Sequence, residues 1–446
     1  MNRQLLKLSA PLALGHLAQI SLQVVDTYFI GKLGAEALSA ASLGTGWVTT
    51  LGVFGVGILF GLDYPLAHSW GAKEDSRYQE WWQHGLLFAI FLSIPFLAGS
   101  FLLLPSALSL FEIPESIRLS TLQYSHILSW SILPWLVFTV LRQGLQAQGR
   151  ASWAMVILIG MNILNWLGNE ALTQGITLGS YPVPALGLKG SAYATLLSRW
   201  LGVLFLLLHP RVLSLVAAFK RFCFRPENFR GILRLGAPAG LQTLMEMGIF
   251  SLAAFLIGKM TPLLGPRAVE TAIAAHHIAL QYASILFMIP YGIGSAAAVL
   301  VAQNKGAGTP SVGLRLGTES LQLGILLMVL LGVVLFFFAE SAMGVFTSSP
   351  AVIESGAHFL RVAAIFQIAD STQTIATGAL RGWGETRPAM IANGVGHWLV
   401  GLPTTLLLGF AFGWGPRGVW YGLAGGLVTV AGILLYRWRR VLVANS

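Results

Sequence analysis

Residues 6–32 read LKLSAPLALGHLAQISLQVVDTYFIGK, and residues 233–259 read LRLGAPAGLQTLMEMGIFSLAAFLIGK. Each segment is long and apolar enough to cross a hydrocarbon core of about 30 Å as a helix. The two align without a gap, so that Ala10-Pro11 meets Ala237-Pro238 and Ile30-Gly31-Lys32 meets Ile257-Gly258-Lys259. A helix that recurs in register halfway along the chain predicts a membrane protein built from an internal repeat.

The repeat continues beyond this first helix, after one insertion of eight residues near 262–270. Shared hydrophobic composition is the alternative explanation, but three separate matches in register argue against it. Because each copy holds six helices, an even number, the copies have the same orientation. We therefore expect two pseudosymmetric six-helix bundles with a site at the repeat interface. The later matches pair Gly57, Ala67, Gly71 and Ala72 with Gly292, Ala302, Gly306 and Ala307, and Leu145, Gly149, Ala154 and Met155 with Leu380, Gly384, Ala389 and Met390.

The amino-acid composition also predicts a membrane protein. The chain has 446 residues, of which 55% are hydrophobic and only 10% charged, with a mean hydropathy of +0.72. A soluble domain is about a quarter charged. Backbone groups in lipid must pair internally, so apolar runs of this length become helices. We predict an all-α integral membrane protein whose twelve spans are 8–30, 43–68, 84–105, 121–145, 153–173, 187–209, 233–258, 272–300, 316–339, 356–380, 388–411 and 416–438.

The basic residues predict the topology. With the N-terminus inside, 19 Lys and Arg residues fall at inner helix ends and 7 at outer ends, so both termini are expected in the cytoplasm. The net charge of +10 then reports orientation and not a nucleic-acid footprint. The predicted domains are an N-lobe of residues 1–209, a cytoplasmic linker of residues 210–232 and a C-lobe of residues 233–446. The linker stretch 211–224 is expected to lie in the membrane interface.

Three of the 17 acidic residues fall well inside predicted spans, namely Asp26, Glu246 and Asp370. An ionised side chain at mid-bilayer costs roughly 2.5–3.5 kcal/mol on insertion scales, so such residues usually face a cavity, a partner or a bound ion. A structural hydrogen bond or a salt bridge, for example to Arg199, is the alternative. Asp63 lies near the inner end of helix 2, where an interfacial role is favoured.

We predict Asp26, Glu246 and Asp370 as the cation-coupling residues, because buried carboxyl groups can couple transport to a cation in two ways. A carboxyl in an apolar cavity favours its protonated form and can release the proton when another cation arrives. Alternatively, two carboxylates and neutral oxygens can coordinate Na⁺, here at Glu246 and Asp370. Both schemes couple a downhill cation to an uphill substrate and need no further cofactor. The choice between H⁺ and Na⁺ stays open.

Polar neighbours of these acids indicate a cavity wall, although helix–helix hydrogen bonding is the alternative use of their amides. Gln19 lies two helical turns before Asp26 on the same face, and it aligns with Glu246 in the repeat. The other candidates for the cavity wall are Asn165 and Asn169 in helix 5, Gln367, Gln373 and Thr374 around Asp370, and His277 in helix 8.

We find no metal-ligand spacing, phosphate loop or nucleophile elbow, so the chain is not expected to be an enzyme.

The chain resembles the MATE (multidrug and toxic compound extrusion) family, in its bacterial NorM-like branch. The resemblance covers almost the whole chain, and its motifs occur in order and at the expected helix numbers. They are Gln19…Val25-Asp26-Thr27, Asn165-x3-Asn169, Ala237-Pro238…Glu246, Ala274-Ala275-His276-His277, Phe287-Met288-Ile289-Pro290, Asp370…Gly378-Ala379-Leu380-Arg381-Gly382 and Gly401-Leu402-Pro403.

The resemblance implies twelve helices around a central cavity and export of cationic amphipathic compounds in exchange for Na⁺ or H⁺. It assigns Glu246 and Asp370 to a C-lobe cation site, and Asp26, Asn165 and Asn169 to a polar N-lobe site. The chain departs from the family at His277, where Gln is usual, and at Asp63. We accordingly expect a monomer in the bacterial cytoplasmic membrane whose partners are small cationic organic substrates, the coupling ion and lipid, without nucleic acid.

Two other classes of function remain as alternatives. A lipid-linked precursor flippase of the same superfamily would need a strongly basic cavity, whereas the intramembrane charges here are mainly acidic, with Arg199 the exception. A membrane-embedded enzyme would need a clustered catalytic set at one membrane face, and the sequence shows none.

Overall fold

A computed structural model describes residues 3–178 and 181–445 of the chain. Over these residues, twelve helices are long and apolar enough to cross a membrane, and each predicted span falls on one of them, which confirms the predicted fold class. They are α1 (Arg3–Gly31), α2 (Ala35–Gly71), α3 (Asp75–Leu110), α4 (Glu115–Ala147), α5 (Ala151–Gln174), α6 (Leu188–Leu207), α7 (Pro226–Leu264), α8 (Pro266–Gly306), α9 (Pro310–Phe337), α10 (Pro350–Trp383), α11 (Arg387–Ala411) and α12 (Pro416–Ala444).

Most of the helices run beyond the predicted spans, because hydropathy marks only the part that lies in hydrocarbon. Local capping decides where the backbone stops being helical. α8, α9, α10 and α12 all begin at a proline, whose fixed φ suits the first turn and whose missing N–H leaves no intrahelical bond unmade there. α10 is followed by Gly384, which has φ +96°, a left-handed conformation that favours glycine and ends the helix.

Several of the long helices are irregular inside. α2 contains a 3₁₀ turn at Phe60–Leu62, α4 breaks between Ser129 and Ile132, and α11 contains π-helical turns at Gly394–Gly401 and Leu407–Ala411. π turns use i→i+5 hydrogen bonds and locally widen the helix, so they mark places where a helix departs from regular geometry. A hydropathy pattern reports none of these interruptions.

Contacts within the chain group it into two compact units. One comprises Leu14–Gly240, and the other comprises Met1–Ala13 together with Leu241–Ser446. The first unit therefore holds most of α1, all of α2 to α6 and the beginning of α7. The second holds the beginning of α1, the rest of α7 and all of α8 to α12. The predicted lobe boundaries at 209 and 233 stay a prediction.

The first unit also contains the only strands in the described chain. Ile176–Leu178 and Tyr181–Val183 form an antiparallel pair in which Ile176 faces Val183. This small hairpin connects α5 to α6 and lies between two predicted spans. Three-residue strands carry too little period-2 pattern to be found in the sequence.

The linker after α6 is partly helical. A short helix, Pro210–Ala218, buries Val212 and Leu215 and leaves Leu213 and Val216 exposed. α7 already begins at Pro226, so residues 226–232 of the predicted linker belong to that helix. The prediction that the stretch 211–224 lies in the membrane interface stays untested.

The end of the linker is fastened to α3. His84 is fully buried, and its Nε2 accepts a hydrogen bond from the backbone N–H of Arg225 at 2.9 Å, while its Nδ1 lies 2.7 Å from the carbonyl oxygen of Glu80. The Glu80 carboxylate accepts from Asn228 at 2.7 Å and pairs with Arg225 at 3.2 Å. The ring of Phe222 lies 4.9 Å from the His84 ring. These contacts hold the linker beside the start of α7.

In the second unit, α8 and α10 pack closely because their facing residues are small. A methyl group on Gly378 would lie 2.1 Å from the backbone oxygen of Gly294, and one on Gly382 would lie 2.3 Å from that of Ala298. Small residues four apart on facing helices let two backbones approach, which is a common way to join helices in lipid. This contact sets the position of α10, which carries Asp370.

Candidate functional site

The two acids of the second unit meet through one amide. Gln373 lies one turn after Asp370 on α10, and its Nε2 donates to Asp370 Oδ1 at 2.9 Å. The same Nε2 donates to Glu246 Oε1 on α7, also at 2.9 Å. A second donor, Nε2 of Gln242, reaches Glu246 Oε2 at 2.9 Å from one turn earlier on α7. We call Gln242, Glu246, Asp370 and Gln373 the acid cluster.

The acid cluster concentrates negative charge with few donors to balance it. An amide nitrogen has two N–H groups, so the two carboxylate oxygens bonded to Gln373 must lie within about 6 Å of each other. Two ionised carboxylates at this distance repel strongly where water is scarce. Asp370 is buried, whereas Glu246 keeps part of its surface exposed. The arrangement therefore favours the arrival of a positive charge.

Spare oxygen atoms surround that position. The second carboxylate oxygen of Asp370 receives no hydrogen bond from the described residues, and the buried side-chain oxygen of Gln373 has no partner there either. Na⁺, like other hard cations, takes oxygen ligands such as carboxylates and amide carbonyls. The donor set therefore fits Na⁺, and it equally fits a proton shared by the two acids. Over the described residues there is no group of three His, Cys, Asp or Glu side chains suited to a transition metal.

The third acid lies in the first unit, where two helices supply its hydrogen-bond donors. Asp26 Oδ1 accepts from Asn165 at 3.1 Å and from Asn169 at 2.8 Å, both on α5. Asp26 Oδ2 accepts from the Thr195 hydroxyl on α6 at 2.6 Å. Asn165, Asn169 and Thr195 are all buried. The Asp26 cluster, as we call these four residues, thus surrounds one carboxylate with three hydrogen bonds.

Arg199 adds positive charge to this neighbourhood without a direct ion pair. Its guanidinium interacts electrostatically with Asp26, but it donates to Ser131 Oγ at 2.7 Å and lies 4.5 Å from the centre of the Trp135 ring. The described residues therefore show no salt bridge between Asp26 and Arg199, which was the predicted alternative. The Asp26 carboxylate accepts hydrogen bonds from neutral side chains instead. Asp26 therefore receives three neutral hydrogen bonds, whereas the acid pair of the second unit shares its donors.

Four predicted cavity residues lie outside both clusters. Gln367 is buried and donates to the backbone oxygen of Ala283 at 3.0 Å. His277 is exposed on α8, and Gln19 and Thr374 are half-buried. Among the described contacts, no hydrogen bond joins any of these four side chains to Asp26, Glu246 or Asp370. Their predicted role in a substrate wall stays a prediction.

Asp63 belongs to a different contact. Its Oδ1 accepts from Nε2 of Gln143 at 2.9 Å, and that nitrogen also donates to the backbone oxygen of Leu59 at 3.1 Å. Since Leu59 precedes the 3₁₀ turn of α2, the bond joins α4 to the place where α2 changes its helical form.

Two members of the clusters were not predicted as site residues. Gln242 precedes Glu246 by one helical turn, so its position on the same face was available as a signal. Thr195 lies 30 residues after Asn165 on another helix, and threonine is common in membrane helices, so nothing local marks it. Gln373 was predicted as a polar neighbour in the cavity wall, but its bond to Glu246 depends on how α7 and α10 pack.

Twelve membrane-spanning helices with acids held among amides define a class, the multi-pass membrane transporters. Within that class the comparison with known families is specific: the MatE family model matches residues 11–169 and 238–407. The chain therefore belongs to the MATE family. The two matches begin at Pro11 and Pro238, the prolines that the internal alignment superimposes.

Curated relatives agree with this assignment over nearly the full chain. The multidrug resistance protein NorM of Burkholderia vietnamiensis is 34% identical over 455 residues, covering 99% of this chain and 94% of the relative. The probable multidrug resistance protein NorM of Pseudomonas aeruginosa is 32% identical over 450 residues, covering 98% and 89%. The resemblance to this family that the sequence motifs indicated is confirmed, as is the expectation that the chain is not an enzyme.

Solved structures show the same fold. The eukaryotic MATE transporter AtDTX14 superimposes with a TM-score of 0.84 at 21% identity, covering 100% of this chain and 95% of that one. A MOP superfamily transporter from Pyrococcus furiosus, described as having a binding pocket of reverse polarity, superimposes with a TM-score of 0.86 at 19% identity, covering 99% and 96%. At these identities the match concerns architecture alone.

Proposed function

We propose that this MATE-family multidrug efflux transporter is a cation-coupled antiporter that exports cationic amphipathic compounds by alternating access. The observation that carries the proposal is the acid cluster, in which Glu246 and Asp370 share the Nε2 donor of Gln373. A buried acid pair that lacks a positive partner binds a small cation on one side of the membrane. Giving up that cation restores the negative charge that a positively charged substrate needs.

The exchange follows from the energetics of the pair. Each ionised acid held away from water is costly unless a positive charge accompanies it. A bound H⁺ or Na⁺ and a bound organic cation neutralise the same carboxylates, so binding of either one weakens the binding of the other. Mutual exclusion of this kind is what an antiporter requires. The exposed part of Glu246 is the side of the cluster from which ions and solvent would reach it.

The Asp26 cluster is given a different part in this scheme. Its carboxylate already receives three hydrogen bonds, so an additional cation would gain less there than at the acid cluster. We assign Asp26 to holding α1, α5 and α6 in register, and we keep it as a further candidate for cation coupling. In this scheme it is not the main exchange site.

The coupling ion is H⁺ or Na⁺ at Glu246 and Asp370, and the substrate class is inferred from the acidity of the intramembrane charges. We further propose a location in the bacterial cytoplasmic membrane with both termini in the cytoplasm, supported by the excess of Lys and Arg at the inner helix ends. The chain is proposed to act as a monomer, because an internally repeated transporter contains both halves of its site.

The experiment that tests the proposal is substrate transport in proteoliposomes with gradients of Na⁺ and pH imposed separately. Ethidium or norfloxacin transport should follow at least one of the two gradients in the natural protein. Glu246→Gln combined with Asp370→Asn should abolish that dependence. Glu354→Gln is the matched control, since Glu354 lies exposed on α10 away from the acid cluster. Gradient-dependent transport that survives the double substitution would refute the proposal.

A further inference from the structure

A cavity lies in the Leu241–Ser446 part of the chain, apart from the acid cluster. It has a volume of about 620 Å³ and opens where α7 ends and where α8, α10 and α12 begin. Sites for drug-sized molecules have volumes of about 300–1,000 Å³. No member of the acid cluster lines this cavity. We call it the end pocket.

The charges of the end pocket have the opposite sign to those of the acid cluster. Arg417 and His358 are its basic lining residues, and the lining contains no carboxylate. Arg417 is exposed, and no acid of the described chain lies within ion-pairing distance of it. The nearby Arg361 is instead paired with Glu340 at 2.8 Å. Arg417 therefore offers its fork of N–H groups to an anion from outside the protein.

The polar groups of the pocket are held in order by their neighbours. The Tyr421 hydroxyl lies 3.1 Å from Nε2 of His358, and the two ring centres are 5.8 Å apart. Trp414 packs edge-on against Tyr421 at 5.9 Å. These contacts fix the hydroxyl and the imidazole, and the Arg417 guanidinium lines the same opening. Groups fixed in this way bind with less loss of side-chain freedom.

The rest of the wall is apolar. Leu264, Ala272 and Phe359 lie in the lining, and Phe359 is held rigidly by stacking on the buried Trp420 at 5.2 Å. This apolar part of the wall suits a hydrocarbon chain or an aromatic ring. It offers no hydrogen-bond or ion-pair partner to a second charged group on the same ligand. The wall thus has a positively charged part and an apolar part.

We propose that the end pocket binds an oxyanion, a phosphate or a carboxylate, carried on an apolar or aromatic body. Arg417 forms the charge-assisted hydrogen bonds to the oxyanion, and His358 and Tyr421 orient it. An organic cation is repelled by the same groups, so the pocket recognises a ligand class different from that of the acid cluster. The ligand comes either from a neighbouring anionic phospholipid or from a free amphiphilic anion.

The test uses purified full-length protein in phosphatidylcholine nanodiscs. Calorimetry measures the binding of 1-naphthyl phosphate, and native mass spectrometry counts phosphatidylglycerol molecules retained when that lipid is added. Arg417→Gln and His358→Gln should each weaken at least one of these by ten-fold or more. Lys259→Gln is the matched control, because it removes one positive charge near the same end, from a side chain that lies over the Phe255 ring and not in the pocket.

The pattern of losses distinguishes the two sources. Weaker naphthyl phosphate binding with unchanged lipid retention indicates a free anion, and the reverse indicates a lipid. Should Arg417→Gln fail to fold, Tyr421→Phe removes only the hydroxyl and should weaken the same ligand several-fold. Binding that is unaffected by all pocket substitutions, or that falls equally in Lys259→Gln, would overturn the proposal.

Discussion

Glu246 on α7 and Asp370 on α10 are joined through the single side-chain nitrogen of Gln373, which is 2.9 Å from a carboxylate oxygen of each. The two acids lie more than a hundred residues apart in the chain and on different helices. Because the two carboxyl groups are this close, they form one site in which the protonation of each depends on that of the other.

Replacing Gln373 tests whether this shared donor matters. Gln373→Leu keeps the volume but removes both hydrogen bonds, each of which is a bond to an acid worth about 1.5–3 kcal/mol. We expect the affinity for the coupling cation to change by about ten-fold or more, as measured by the ion dependence of transport. Gln367→Leu is the control, because Gln367 bonds only to the backbone oxygen of Ala283. Equal effects of the two substitutions would contradict the assignment.

Thr195 should contribute mainly to stability. Its hydroxyl donates to Asp26 and accepts from Asn165, so Thr195→Val leaves both groups short of a partner. We expect a loss of about 1.5–3 kcal/mol and a lower thermal midpoint in detergent. Thr195→Ser should recover most of the loss. Thr271→Val, whose hydroxyl bonds only to the backbone of its own helix, should change little. A Thr195→Val protein as stable as the natural one would show that Asp26 is satisfied in another way.

Gly378 is expected to tolerate no side chain. An added methyl group would lie 2.1 Å from the backbone oxygen of Gly294, so α8 and α10 would have to separate. Gly378→Ala should destabilise the protein by about 1–3 kcal/mol or more and should weaken ion coupling, since α10 carries Asp370. Gly432→Ala on α12 meets nothing within 4 Å and should be neutral or stabilising. A thermal melt of both variants decides between these outcomes.

His209 makes the short helix Pro210–Ala218 sensitive to pH. Its Nδ1 accepts from the backbone N–H of Arg211 at 3.2 Å, and burial, assisted by the charges of Arg150 and Arg211, lowers its pKa below the ordinary value of 6.5. A lowered pKa means that the unfolded state binds the proton more readily. The stabilising effect is therefore present above pH 6.5 and decreases as the pH falls below it.

Hydrogen exchange of residues 210–218 measures this effect. Protection of the short helix should decrease between pH 7.5 and pH 5.5, after correction for the intrinsic exchange rate. His209→Asn keeps a capping acceptor that does not titrate, so its protection should be nearly independent of pH. The interpretation fails if the natural protein and His209→Asn respond to pH alike.

The contact between the linker and α3 can be tested by proteolysis. His84→Ala removes the acceptor for the Arg225 backbone and the ring on which Phe222 packs. Cleavage by chymotrypsin after Phe222 should then become faster, because proteases need a locally released backbone. Lys220→Ala, an exposed residue of the same linker, serves as the control. An unchanged cleavage rate in His84→Ala would mean that other contacts hold the linker.

Much of this architecture could be predicted, because the membrane imposes simple demands on a sequence. Apolar runs had to be helices, so all twelve spans were found, and the cost of intramembrane charge singled out Asp26, Glu246 and Asp370. The repeat aligned Gln19 with Glu246, yet the structure gives only Glu246 a place in a cluster with another acid. An alignment reports common ancestry of a position and not the partners it acquires.

What escaped prediction depends on packing between distant segments. The bonds from Thr195 to Asp26 and from Gln373 to Glu246 join helices whose mutual rotation no hydropathy pattern records. The π turns of α11 and the hairpin after α5 are local adaptations with weak sequence signals. The end pocket is formed by four helix ends, and none of them carries a sequence motif that would predict a pocket.

The central claim is that a small cation and an organic cation compete for the charge of Glu246 and Asp370. Equilibrium binding of ethidium to the purified protein, titrated against Na⁺ at constant pH and against pH at constant Na⁺, measures this competition directly. We expect ethidium affinity to fall as Na⁺ or H⁺ rises, and to become independent of both in the Glu246→Gln, Asp370→Asn double variant. An ethidium affinity that depends on these ions to the same extent with and without the two acids would contradict the account.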